Sequence, residues 1–167
     1  MDTGDSAFWQ FSLQFYRRPE VPALCLILQD QQGADINLLF FIFFMAVNGR
    51  QLTPDEVRRI DACICDWRKH IVQPLRALRR ELKGGIAPID RQTSETLRAA
   101  IQRDELLAER LQQEALERAF PLYTTGTSAA PGAAIIANIA AYGALAGTLP
   151  EAPVNKLLRS LMDEFSI

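Results

Sequence analysis

The stretch Ile36-Asn37-Leu38-Leu39-Phe40-Phe41-Ile42-Phe43-Phe44-Met45-Ala46-Val47 decides the fold. Apart from Asn37 it is apolar throughout, so a helix made from it has no polar side to turn to water and must be enclosed. Twelve residues of helix rise roughly 18 Å, well short of the ~30 Å hydrocarbon core of a bilayer. The segment therefore reads as a core helix and excludes an integral membrane protein. Asp35 caps its start and Gly49 follows its end at Asn48.

The neighbouring segments carry equally clear punctuation. Upstream, Ser6 to about Arg17 forms a first helix, stopped by Pro19, and Val21–Gln32 forms a second, with Gly33 at the left-handed cap position. The second helix, through Ala23-Leu24-Cys25-Leu26-Ile27-Leu28, is also apolar on all sides. With the third it forms a greasy hairpin that the rest of the chain has to wrap.

Downstream, Thr53-Pro54-Asp55-Glu56 supplies a capping hydroxyl, a proline at the first helical position and a glutamate three residues on. The fourth helix runs from there towards Lys83, with a kink or break near Val72–Gln73 imposed by Pro74. A fifth helix opens at Asp90 or Thr93 and reaches about Arg118. The small, polar stretch near 124–132 reads as a flexible loop. A sixth helix spans Gly132 to about Ala146, its small residues Ala133, Ala137, Ala141, Gly143 and Gly147 permitting close helix approach, and a seventh runs from Pro153 to Phe165. No segment alternates long enough to be a strand. The expectation is one all-α domain over residues 1–167, a bundle of about seven helices around a buried apolar hairpin.

Composition agrees with a globular chain: 167 residues, 49% apolar, 23% charged, net charge −2. Cys25, Cys63 and Cys65 read as free thiols, which suits a reducing, cytoplasmic setting. The opening Met1-Asp2-Thr3-Gly4-Asp5 is acidic and lacks the basic start of a secretion signal.

Several motifs together resemble a known family. They are Phe8-Trp9-x-Phe11-Ser12 with Arg17, Cys25-Leu26-x-Leu28-Gln29-Asp30, Asp35-x-Asn37-Leu38-Leu39, Trp67, and Pro74-Leu75-Arg76-x-x-Arg79-Arg80-x-Leu82-Lys83. The chain is similar over its first half to a family of short bacterial proteins of unknown function. The resemblance implies a bacterial, cytosolic, helical protein and carries over no catalytic residue. At one place the pattern departs, with Phe43-Phe44 where the family has a tryptophan late in the third helix.

Two clusters stand out as candidate sites. Arg76, Arg79, Arg80 and Lys83, three and four apart, share one helix face. Val57 to Lys83 holds eight Lys/Arg against three Asp/Glu in an otherwise acidic chain. Such a stripe suits an acidic or phosphate-bearing partner. It could equally pair internally, as exposed ion pairs, with Asp104, Glu105, Glu109, Glu114 and Glu117 on the fifth helix. Nucleic acid ranks last, because no binding motif accompanies the stripe and the chain is acidic overall. Peripheral membrane attachment through the third helix also ranks low. The second cluster, Trp9, Gln29, Asp30 and Asn37, borders the turn between helices two and three and could line a small-molecule pocket. Backbone capping explains the same polar residues without a ligand.

Catalytic signatures are missing. Cys63, Asp66 and His70 line one helix edge, but the chain has a single histidine and lacks a fourth zinc ligand nearby. Cys63 and His70 are seven residues apart on that helix, about 10 Å along the axis, too far for proton transfer. Gly126-Thr127-Ser128-Ala129-Ala130-Pro131-Gly132 lacks the Gly-Lys-Ser/Thr ending of a phosphate loop. Paired aspartates of the prenyl-transferring type do not occur. The reading therefore expects no metal and no cofactor and leans away from an enzyme. It favours an interaction or regulatory module that binds a protein partner or itself through Arg76–Lys83, with the turn pocket as the alternative.

Overall fold

The computed structural model of the chain describes residues 6–147 and 149–167; the acidic segment 1–5 lies outside the described residues. Among the described residues there are eight α-helices: α1 (Ala7–Tyr16), α2 (Val21–Gln32), α3 (Ile36–Val47), α4 (Pro54–Trp67), α5 (Gln73–Glu81), α6 (Arg91–Ala119), α7 (Pro131–Ala146) and α8 (Glu151–Phe165). Two short strands, β1 (Arg50–Gln51) and β2 (Thr127–Ser128), pair antiparallel. The fold is all-α.

The caps form where the side chains dictate. Ser6 Oγ accepts the Trp9 N–H at 3.1 Å, and Asp35 Oδ1 accepts the Leu38 N–H at 3.1 Å. Thr53 and Glu56 close a reciprocal box: Thr53 Oγ1 takes the Glu56 N–H at 3.2 Å, and Glu56 Oε2 takes the Thr53 N–H at 2.8 Å. Pro74 divides the expected fourth helix. A proline has no N–H to give and its ring crowds the carbonyl one turn back. The ladder therefore widens into a π-helical turn, Arg68–Val72, in which Gln73 N–H reaches back to the Arg68 carbonyl, and α5 follows.

The chain divides into two compact units, one made of residues up to 61 together with 113–167, the other of residues 62–112. In the first, α3 is enclosed from Leu38 to Ala46. Phe8, Phe11 and Phe15 of α1 meet Phe41, Phe44 and Phe40 with ring centroids 5.1, 5.6 and 5.2 Å apart. Phe165 of α8 stacks on Phe11 at 4.8 Å. Such pairs add to the burial of the rings themselves. With its phenylalanines buried, α3 offers no apolar side to a lipid surface.

α7 lies against α3, burying Ala134, Ile135, Asn138, Ala141 and Tyr142. This face is offset from the expected small-residue series, since Ala133 is exposed. Asn138 sits at the centre of unit one. Its Oδ1 accepts the Leu52 N–H at 2.7 Å, and its Nδ2 donates to the carbonyls of Ile42 and Arg50, each at 3.0 Å. One fully buried amide thus binds three backbone groups, one in the middle of α3, one in β1 and one just after it.

Two expectations need correction here. α2 is not enclosed on all sides: Val21, Leu24, Cys25 and Leu28 are buried, whereas Leu26 and Ile27 are 52% and 37% exposed. The helix buries a single face, and only α3 meets the requirement for complete cover. The stretch 124–132, expected as a flexible loop, is tied down. β2 lies within it, and the Arg50 guanidinium donates to Thr125 O (2.8 Å), to Gly126 O and to Ser128 Oγ (3.2 Å). Glu56 Oε1 accepts the Gly126 N–H at 3.0 Å. Gly126 itself has φ +68°, and a Cβ there would lie 2.5 Å from the Gln51 carbonyl oxygen.

Unit two contains the end of α4, the π turn, α5, a 3-10 turn at Leu82–Gly84, and most of α6. Its buried apolar set is small: Ile64, Val72, Leu82, Ile101 and Ala108. Against this, nine large apolar side chains of residues 62–112 are exposed, among them Leu78, Leu97, Leu106, Leu107 and Leu111.

Candidate functional site

The basic stripe lies on α5 and the 3-10 turn after it in unit two, and Arg76 and Arg79 are engaged internally. Arg76 Nε donates to Glu105 Oε1 at 2.9 Å, and its Nη2 donates to Glu109. Arg79 holds the same Glu105 through Nε and, at 3.2 Å, through Nη2. Glu105 is 6% exposed. Two guanidinium groups therefore clamp one buried carboxylate, with a second carboxylate four residues further along α6.

This arrangement narrows the partner-binding reading of the four basic residues. Arg76 and Arg79 are structural cations of unit two, while Arg80 and Lys83 remain on its exposed side. It also changes the expected form of the internal pairing. The sequence reads the five candidate carboxylates as a solvated face, but Glu105 points inwards. Spacing on α5 (three apart) and α6 (four apart) is visible in the sequence, yet nothing there says which side of α6 is buried.

The electrostatics follow from the geometry. Burial pushes the Glu105 carboxyl up, but the hydrogen bonds and charges of Arg79 and Arg76 outweigh it, so its pKa lies below the ordinary 4.5. Burial pulls the Arg76 guanidinium down, and Glu105 and Glu109 more than restore it, for a net rise. Glu105 and Arg76 are therefore both charged at neutral pH.

A second tie in unit two is Trp67, whose indole N–H donates to the Ala108 carbonyl at 3.0 Å while the ring stays 39% exposed. The sequence marks this tryptophan only as part of a pattern.

The turn cluster lies in unit one. Asp35 is the α3 cap, and its own N–H donates to Tyr142 Oη at 3.2 Å. Asn37 Oδ1 accepts from Gln113 Nε2 at 2.7 Å, a partner 76 residues away that no local reading could supply. Trp9 is buried on α1, Gln29 is half-buried on α2, and Asp30 is exposed near the end of α2. Gln113 is itself buried, and its Oε1 has no hydrogen-bond partner among the described residues.

Sequence reasoning missed the outer side of α6. Leu97, Leu107 and Leu111 share this side and are 55%, 55% and 44% exposed, while Leu106, 51% exposed, projects from a different side of the helix. A shallow strip runs along the same helix, lined by Glu95, Thr96, Ala99, Gln102, Arg103 and Leu106. All six lining residues belong to α6 itself. The signal was present as leucines outside the buried set, but leucine in a helix reads by default as core.

Cys25, Cys63 and Cys65 are free. Burial drives the Cys25 thiol up to about 12. His70 Nδ1 lies 2.9 Å from the Asp66 carbonyl oxygen, one turn back on its own helix. Among the described residues, no group of three or more His, Cys, Asp or Glu is arranged to hold a metal ion. No helix among them is long and apolar enough to cross a membrane.

Among curated proteins and among solved structures, nothing matches the chain. Residues 7–116, which run from α1 into α6, match the DUF2390 family. The chain therefore belongs to DUF2390, a family of proteins of unknown function.

Proposed function

We propose that the chain is a non-enzymatic interaction module that docks through the outer face of α6. The observation that carries this reading is three leucines, Leu97, Leu107 and Leu111, 55%, 55% and 44% exposed and within roughly 80° of one another around one helix of the less well-cored unit. Apolar surface of that extent on one element marks an interaction face more often than an idle one. Arg80 on α5 and Lys83 in the 3-10 turn that follows it, both exposed, supply a charged rim suited to an acidic partner surface. Three free thiols fit a reducing setting such as the bacterial cytoplasm that the sequence motifs imply.

The test is site-specific photo-crosslinking in cells. A benzophenone amino acid replaces Leu107 in one variant and Lys156, exposed on α8, in another. The expected result is a discrete protein adduct from position 107 and none from position 156. No adduct at 107, or the same adducts at both, removes the reading.

A second reading, a small-molecule site at the α2–α3 turn, draws on the buried Gln113 oxygen that has no partner beside Asn37. Native mass spectrometry of the purified chain checks it. A retained small molecule that disappears in Asn37→Ala supports the site, and a bare polypeptide mass rejects it.

A further inference from the structure

We infer that the partner on α6 is a second copy of this chain, docked in parallel so that Arg103 of each copy faces Asp104 of the other. This rests on the interaction reading above and names its partner.

Successive residues turn roughly 100° around a helix, which arranges the outer face of α6 in three strips. Ala100 and Leu107 form the middle. Leu97, Asp104 and Leu111 run along one edge, and Thr96, Arg103 and Arg110 along the other. Arg103 and Asp104 are adjacent in sequence, of opposite charge and exposed. Neither makes an ion pair among the described residues. Two unpaired opposite charges, flanked by half-exposed leucines, need one partner that answers both.

A copy of the same helix does so, and the orientation is decided by charge. When two identical helices pack about a two-fold axis parallel to them, residues of equal height meet and each edge of one lies against the opposite edge of the other. Arg103 then meets the other copy's Asp104, twice by symmetry. Leu107 meets Leu107 and Ala100 meets Ala100 in the middle strip, the small alanine letting the helices approach. Leu97 covers Thr96, and Leu111 lies on the aliphatic stem of Arg110.

An antiparallel pairing puts like edges together. Arg103 would then face Arg103 and Asp104 would face Asp104, so it repels at its centre. The strip from Thr93 to Leu111 is roughly 27 Å long at 1.5 Å per residue, small among stable interfaces, so association belongs in the micromolar range.

The experiment is charge reversal with mutual rescue, read by sedimentation velocity on the full chain over micromolar concentrations. Wild type is expected to be a dimer. Arg103→Glu places two acids against each other, and Asp104→Arg places two bases, so each variant alone should weaken association at least tenfold while keeping its circular dichroism. In a one-to-one mixture the first variant carries acids at both positions and the second carries bases at both. Each acid then meets a base across the interface, and a heterodimer should return. A wild type that stays monomeric at about 100 µM, well above the micromolar range expected for so small an interface, overturns the inference. So do single variants that associate like wild type, or a mixture that fails to pair. Failure here is separable from failure of the interaction reading. A monomeric wild type with a foreign adduct at position 107 keeps the module and discards the self-pairing.

Discussion

Arg76 and Glu105 meet at 2.9 Å across 29 residues of sequence, and Arg79 closes on the same carboxylate from the next turn of α5. Glu105→Ala leaves two guanidinium groups without their shared partner. Removing one member of a buried ion pair costs roughly 3–5 kcal/mol. Here the arginines keep about a fifth to a quarter of their surface in water, so the expected loss is nearer ~2–3 kcal/mol. Urea denaturation measures it. Glu105→Ala combined with Arg79→Met should recover part of the loss, because Arg76 keeps Glu109 as its partner and the second guanidinium is gone.

The same carboxylate sets an acid limit. Its pKa is depressed in the folded chain, so its contribution to stability is complete above the ordinary 4.5 and disappears as pH falls through the lower folded value. Melting temperature should therefore fall below about pH 5, and the fall should be shallower in Glu105→Gln. Equal acid slopes for the two proteins would contradict this. Glu56 adds to the same trend. Burial raises its carboxyl, and the bonds from Thr53 and Gly126 together bring it below the ordinary value.

Asn138→Leu keeps side-chain size but strands the Leu52 N–H and the Arg50 carbonyl in the interior, while the Ile42 carbonyl keeps its place in the α3 ladder. Each unsatisfied buried group costs roughly 1–3 kcal/mol. A loss of at least about 2 kcal/mol is expected in thermal unfolding, more than for an exposed change such as Ala133→Leu on the same helix.

Gly33 and Gly126 share a positive φ, +64° and +68°, but differ in surroundings. Alanine at Gly33 meets open space and should cost about 1 kcal/mol, the left-handed backbone penalty alone. Alanine at Gly126 meets the Gln51 carbonyl oxygen at 2.5 Å and must also part β1 from β2. The loss at Gly126, read by denaturant titration, should be more than double the loss at Gly33.

Thiol labelling should report the burial pattern directly. Cys63 is exposed and Cys65 half-buried, whereas Cys25 is buried with its thiol at about 12. A thiolate-seeking reagent at about pH 8 should modify Cys63 first and leave Cys25 untouched until the chain unfolds. Prompt labelling of Cys25 would show that the α2 face opens.

The helices are legible because their ends are written locally. Ser6, Asp35, Thr53 and Asp90 cap through their own side chains, and Pro74 perturbs the helix at the residues it must. What is not legible depends on partners far along the chain. Arg50 finds the 125–128 backbone, Gln113 finds Asn37, and Asn138 finds Leu52, each through contacts more than 70 residues apart. The exposed side of α2 escapes notice because apolar residues cover every direction of the helix equally. The basic stripe is visible as a stripe, but its fate turns on which side of α6 is buried. A mixed face of Leu, Ala, Glu, Gln and Arg leaves that side ambiguous.

Complete enclosure of α3 has a consequence during synthesis. The covering helix α7 begins at Pro131, and Phe165 comes later still. At about 5–20 residues per second the ribosome needs roughly 4–17 s to travel the ~85 residues from the end of α3 to the start of its cover. Throughout that interval the four phenylalanines of α3 lack the cover of α7 and of Phe165. Nascent chains stalled before Pro131 should accordingly recruit a holdase chaperone, and chains stalled well past Phe165 should release it.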